Sequence, residues 1–123
     1  GNLTEFELQD TTIRTEDVTL LKGTTNTGGV IIYDPAVEVG AKTVVTAHNP
    51  TTGEKEFIEF GIIDNGTDVF HTEYGNSRTG QQLIIPTFEV TGDNKVRINL
   101  ELGAGIGVTQ SVNITLTSQI TKK

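Results

Sequence analysis

The sequence contains no cysteine, no methionine and no tryptophan. Without cysteine there is no disulfide framework, no thiolate metal site and no cysteine nucleophile, and the chain is indifferent to its redox compartment. Aromatic residues are few, 2 Tyr and 5 Phe, so little is available to stack on sugar rings along an extended track. Basic residues are also scarce: nine Lys and Arg stand against sixteen Asp and Glu, a formal charge of -7. That balance argues against a nucleic-acid partner, which requires clustered cations to replace counterions. Apolar runs such as Val30-Ile31-Ile32-Tyr33 are a few residues long, far from the roughly 20 that cross a bilayer. No charged-then-apolar signal opens the chain. Gly1 is a residue before which an initiator Met is commonly removed, and the chain is read as a nearly complete small gene product.

What is present favours strands. Thr, Val and Ile make up about a third of the 123 residues, and 14 are glycine. No segment carries the i, i+3, i+4, i+7 spacing of an amphipathic helix. Period-two alternation dominates instead, broken every 8 to 12 residues or so by Gly, Asn-Gly or Thr clusters. In 96–102, Val96, Ile98, Leu100 and Leu102 share one face. In 111–120, Val112, Ile114 and Leu116 do the same, as do Ile58, Phe60 and Ile62 in 55–64. Residues 68–74 put Phe70, Thr72 and Tyr74 on one side and Val69, His71 and Glu73 on the other, and 41–48 and 83–90 complete about six strands.

The connections carry turn chemistry. Asn49-Pro50-Thr51-Thr52-Gly53 separates two strands, and Asp64-Asn65-Gly66 reads as a two-residue type I′ hairpin. Gly75 to Gly80 reads as a longer loop with Arg78 at its tip, Gly92-Asp93-Asn94 as a hairpin, and Gly103 to Gly107 as a flexible crossing. The expected fold is all-β: an antiparallel, jelly-roll-like β-sandwich over residues 41–123. Residues 1–40 alternate poorly and read as an N-terminal β arm or small subdomain, with Gly40 at the boundary.

The chemistry-bearing residues are sparse. His48 and His71 each sit alone in a strand, with no second ligand at metal spacing. Asp64 to Asp68 lacks the alternating oxygen ligands of a calcium loop, and Gly103 to Gly107 lacks the following helix of a phosphate loop. Glu54, Glu56 and Glu59, with Glu38, Glu73 and Glu101, offer carboxylate pairs for glycoside hydrolysis, as any acidic surface does. No catalytic, cofactor-binding or metal-ligating residue is assigned. Tyr74 is expected to pack its ring into the sandwich with its hydroxyl at the rim, and Gly75 to end the strand at positive φ.

From Gly40 onward the chain resembles a β-domain found at the end of virion proteins of tailed bacteriophages, especially contractile-tailed phages of marine cyanobacteria. The matching stretches are Ala41-Lys42, Thr52-Gly53-Glu54 with Glu59, Ile63-Asp64-Asn65-Gly66-Thr67, His71-Thr72-Glu73-Tyr74-Gly75 with Thr79-Gly80, Phe88-Glu89-Val90 and Asn94 to Ile98. Ile63 stands where that family usually has His or a similar residue before the Asp of the turn. The resemblance implies a non-enzymatic structural protein of the virion surface, a capsid decoration or a tail, baseplate or fibre appendage. It would assemble through the N-terminal arm and sheet edges, so deleting residues 1–39 should leave a folded domain that no longer joins the particle. The implied partners are other virion proteins and further copies of the chain, with a trimer common among fibres and three-fold decorations. No nucleic acid, membrane or cofactor is implied. The alternative is a receptor- or glycan-binding module that contacts the host through loops such as Gly75 to Gly80.

Overall fold

A computed structural model describes residues 2–123, and none of them is helical. Nine strands follow one another: β1 (Leu3–Glu7), β2 (Thr11–Leu21), β3 (Thr27–Tyr33), β4 (Glu38–His48), β5 (Lys55–Asp64), β6 (Val69–Arg78), β7 (Ile84–Val90), β8 (Val96–Leu102) and β9 (Ser111–Lys122). They form a six-stranded sheet, ordered β1-β2-β9-β4-β5-β6, and a three-stranded sheet, ordered β3-β8-β7. All pairings are antiparallel. The expected all-β sandwich is therefore present. The chain enters the small sheet at β3, returns at β4, and crosses again between β6 and β7 and between β8 and β9, the wrapping of a jelly-roll-like fold. β4, β5 and β6 are a plain meander within it.

Strand alternation puts the apolar residues between the layers. Val96, Ile98, Leu100 and Leu102 of β8 face Val112, Ile114, Leu116 and Ile120 of β9, Val45 of β4 and Ile58, Phe60 and Ile62 of β5 in one buried cluster. The polar residues on those inner faces are satisfied. Thr43 and Ser118, cross-strand partners, share a 2.8 Å hydroxyl–hydroxyl bond. Pro86 occupies the edge strand β7, where its missing N–H costs no ladder bond.

Residues 2–40 contribute strands to both sheets. β2 pairs along its whole length with β9, β3 pairs with β8, and Leu20, Val30, Ile32 and Tyr33 belong to the common core. Gly40 lies inside β4, where a Cβ would come within 2.5 Å of the Ile62 carbonyl oxygen. Only β1 has the character of an arm, since all five of its residues are exposed and its one partner is β2.

Four local expectations are corrected. Residues 75–78 are not a loop: they extend β6 and pair with Glu56 to Glu59 of β5. Gly75 is not at positive φ, and the β5–β6 register slips beside it, leaving Tyr74 as the extra residue of a β-bulge. The Asp64-Asn65-Gly66 turn is not type I′, because Gly66 alone has positive φ. Residues 65–68 form a four-residue loop in which Asn65 Oδ1 accepts the N–H groups of Thr67 and Asp68. Gly103 to Gly107 is pinned rather than loose, for the Gly103 N–H donates to Leu83 O and Ile106 is buried in the core.

Candidate functional site

The outer face of the six-stranded sheet is not covered by the second layer, and register alone arranges its side chains in rows. One row crosses the sheet through Thr19, Asn113, His48 and Lys55, and ends at Thr79, whose N–H donates to Lys55 O. The next runs Asp17, Thr115, Thr46, Phe57 and Ser77. Between them lies an open groove of about 440 Å³. Phe57 is 41% exposed, although it is a large aromatic residue in a central strand. It points outward because its neighbours Glu56 and Ile58 take the inward positions.

The polar groups around Phe57 fall into two sets. On the β2 side they are spent on each other: Thr19 donates to Asn113 Oδ1 at 3.1 Å, and Thr115 to Asp17 Oδ1 at 2.8 Å. On the β4–β6 side, the side chains of Thr46, His48, Lys55 and Ser77 stand exposed in the groove. Lys55 lies outside the ion pairs that hold Arg14, Lys42, Arg78, Lys95, Arg97 and Lys122.

Under one end of the groove lies a carboxylate that the sequence reading did not single out as structural. The Glu56 side chain is fully buried. Its Oε2 accepts from Arg78 Nε at 2.7 Å, and its Oε1 accepts the N–H groups of Leu83 and Ile84 at 2.8 and 3.1 Å. Glu56 thus ties β5, the end of β6 and the start of β7 together. The signal was legible: Glu56 occupies the same alternating face as Ile58, Phe60 and Ile62.

At the opposite end of the same face, Tyr74 does not enter the core. It is 67% exposed, and its ring lies over Gly61, where a Cβ would come within 2.8 Å of it. Tyr74 shares the outward face of β6 with Phe70 and Thr72, which pair with Ile63 and Gly61, and the glycine lets the ring rest on backbone. Beside it Lys42 and Glu59 form a 2.8 Å ion pair, which raises the Lys42 pKa through the hydrogen bond. Val39, Ile63 and Phe70 extend this corner as an exposed apolar strip.

The residues weighed from sequence are dispersed. His48 is on the outer face at the groove, whereas His71 is on β6 with its ring 4.5 Å from Phe88 and 6.0 Å from Phe60, an aromatic cap on the sheet edge. Asp64 is a structural acceptor: Tyr33 donates to its Oδ1 at 2.6 Å and Gly66 N–H to its Oδ2 at 2.8 Å. Burial, first, and this bond to a carboxylate push the Tyr33 phenol far above its ordinary pKa. Glu54 accepts the backbone N–H of Gln81 and the hydroxyl of Thr52, bonds that lower its pKa, with the Gln81 backbone bond the largest cause. Glu56 points inward and Glu59 outward, so this pair does not flank a common space. Among the described residues no cluster of three or more His, Asp or Glu side chains has the geometry of a metal site.

No protein-family model matches the chain, and no curated protein matches it. Its fold is similar to parts of three phage tailspike proteins of known structure. The Acinetobacter phage vB_ApiP_P1 tailspike protein superposes with a TM-score of 0.52 at 12% identity, over 89% of this chain and 22% of the tailspike. The Acinetobacter baumannii phage AM24 tailspike protein gives 0.55 at 13% identity, over 92% of this chain and 26% of its own. The tailspike protein of Acinetobacter baumannii bacteriophage Fri1, a capsular polysaccharide depolymerase, gives 0.50 at 11% identity, over 98% and 21%. The chain thus spans about a fifth to a quarter of the tailspikes it resembles, and at these identities the likeness is one of fold.

Proposed function

We propose that the chain is a β-sandwich module of a bacteriophage tail appendage, non-enzymatic in itself, which works as a rigid knob on a larger virion assembly. One observation carries this reading: nearly the whole chain superposes on a minor part of three tailspikes. That favours an appendage over a capsid decoration. It agrees with the resemblance of residues 40 onward to the end domains of phage virion proteins. The depolymerase chemistry of the Fri1 tailspike is assigned, in this reading, to parts of such a protein outside this module. In support, Glu54 and Glu56 are engaged by backbone N–H groups and Glu59 by Lys42. The module's partners are other virion proteins and further copies of the chain. Attachment falls to β1 and the free edge of β6, the two strands at the margins of the large sheet.

Antibodies raised against the isolated chain test this on particles of the phage that encodes it. Labelling at the tail end is expected, and the isolated chain should leave capsular polysaccharide at its original length. Labelling confined to heads, or shortening of the polysaccharide by the chain alone, contradicts the reading.

A further inference from the structure

We propose that the groove around Phe57 binds an acidic oligosaccharide, a carboxylate-bearing glycan; the inference rests on the appendage reading and names the ligand of its outer face. Phe57 supplies an exposed ring of the kind on which the apolar face of a pyranose rests. Thr46 on β4 and Ser77 on β6 flank it from the adjacent strands as hydroxyl partners, and the amide nitrogen of Asn113, one strand further on β9, lines the same groove. The groove's volume of about 440 Å³ is within the range of small-molecule sites, ~300–1,000 Å³. An open groove of this volume suits a short stretch of glycan lying across the sheet.

Charge selects the class of sugar. The chain as a whole carries -7. Within the groove, however, the one lining carboxylate, Glu56, is buried and already paired with Arg78. Lys55 is left as an uncompensated ammonium, with His48 directly beside it in the same row. An anion arriving here meets a positive spot on an otherwise acidic molecule, whereas elsewhere on this face Lys42 is neutralised by Glu59. A carboxylate sugar with its acid at Lys55 and its ring on Phe57 uses both features. A neutral sugar uses only the second.

The chain labelled with ¹⁵N is titrated with tri-galacturonate, the acidic probe, and with maltotriose, the neutral one, while amide shifts are followed. Saturable shifts confined to residues 46–48, 55–57, 77–79 and 113–115 are expected, with the acidic trimer binding about tenfold or more tightly. Lys55→Ala should bring the acidic probe down to the affinity of the neutral one. Phe57→Ala should weaken both about tenfold, and amide spectra of the two free variants report that the fold is kept. Equal binding of the two trimers, shifts elsewhere on the sheet, unchanged affinity in both variants, or no saturable shift with either probe overturns the proposal. A chain that labels the tail end yet fails these titrations loses the glycan site and keeps the appendage role. A chain that binds the acidic trimer here but labels no tail keeps the site and loses the role.

Discussion

At Glu56 a carboxylate occupies a position that strand alternation assigns to the interior, and three hydrogen bonds fix it there. Glu56→Ala leaves the Leu83 and Ile84 N–H groups without their acceptor and Arg78 without its partner. A loss of about 2–5 kcal/mol is expected in urea unfolding, a range drawn from orphaned buried donors and broken buried ion pairs. Two glycines make a second contrast. A Cβ on Gly103 would run into the Gln82 carbonyl oxygen, backbone that cannot turn aside, while a Cβ on Gly75 meets open space at an ordinary φ. Gly103→Ala should therefore destabilise by more than about 1 kcal/mol and Gly75→Ala should be neutral or slightly stabilising, read from thermal midpoints. At this scale the sequence was half legible. Glu56 is buried on the period of its neighbours, which a reader can count. Tyr74 shares its face with Phe70 and Thr72, while His71 on the other face meets Phe60 and Phe88; alternation separates the two faces of β6 without marking which is buried, and so the ring was misplaced.

Strands with strict alternation announced themselves. β5 and β8 occupy the residues that periodicity marks, because both are central and bury one face fully. β2 lies in the stretch that alternates poorly, because its inner face carries Arg14 and Glu16 between Thr12 and Val18. Arg14 is retained there by donating to Ile32 O at 2.8 Å and bonding Glu5 of β1. Residues 75–78, Gly-Asn-Ser-Arg, look like a loop and become strand only because β5 offers them a partner. Such pairing is tertiary, and local sequence does not contain it. The consequence concerns truncation. Removing residues 1–9 takes away β1 alone and should cost less than about 2 kcal/mol with the circular-dichroism spectrum of a folded β protein retained. Removing residues 1–39 deletes β1, one of the two partners of β9 and a third of the small sheet, and should leave no cooperative transition. Alternation alone predicts a folded remainder for the long deletion, whereas the pairing of β2 with β9 and of β3 with β8 predicts none.

For the whole molecule, charge sets the limits of stability. Asp34, Glu54, Glu89 and Asp93 all have lowered pKa values in the fold, held down first by the Ala36 backbone, the Gln81 backbone, Arg97 and Thr91 respectively. A carboxylate with a lower pKa folded than unfolded stabilises above its unfolded value, about pH 4, and that contribution disappears as pH falls toward the folded value. Tyr33 works in the opposite sense. Its phenol is raised in the fold, so its contribution is complete below its unfolded pKa of about 10 and is lost as pH rises beyond it. Urea midpoints measured from pH 3 to 11 should form a plateau that falls at both ends, and Tyr33→Phe should make the alkaline fall shallower. The two-layer fold was readable from the sequence at this scale, because composition and period agree along most of the chain. The groove was not, since Phe57, Lys55, His48 and Asn113 are brought together only by the register of β9, β4 and β5.

The central proposal is that this sandwich is part of a phage tail appendage, with the Phe57 groove on the outer face of its large sheet open to a ligand. A density map of the intact particle tests it most directly. The account predicts the nine-stranded sandwich in the tail appendage, with β1 or β6 against neighbouring chains and Phe57 open to solvent. Density for the sandwich in the head, or in the appendage with the Phe57 groove sealed against another chain, would contradict it.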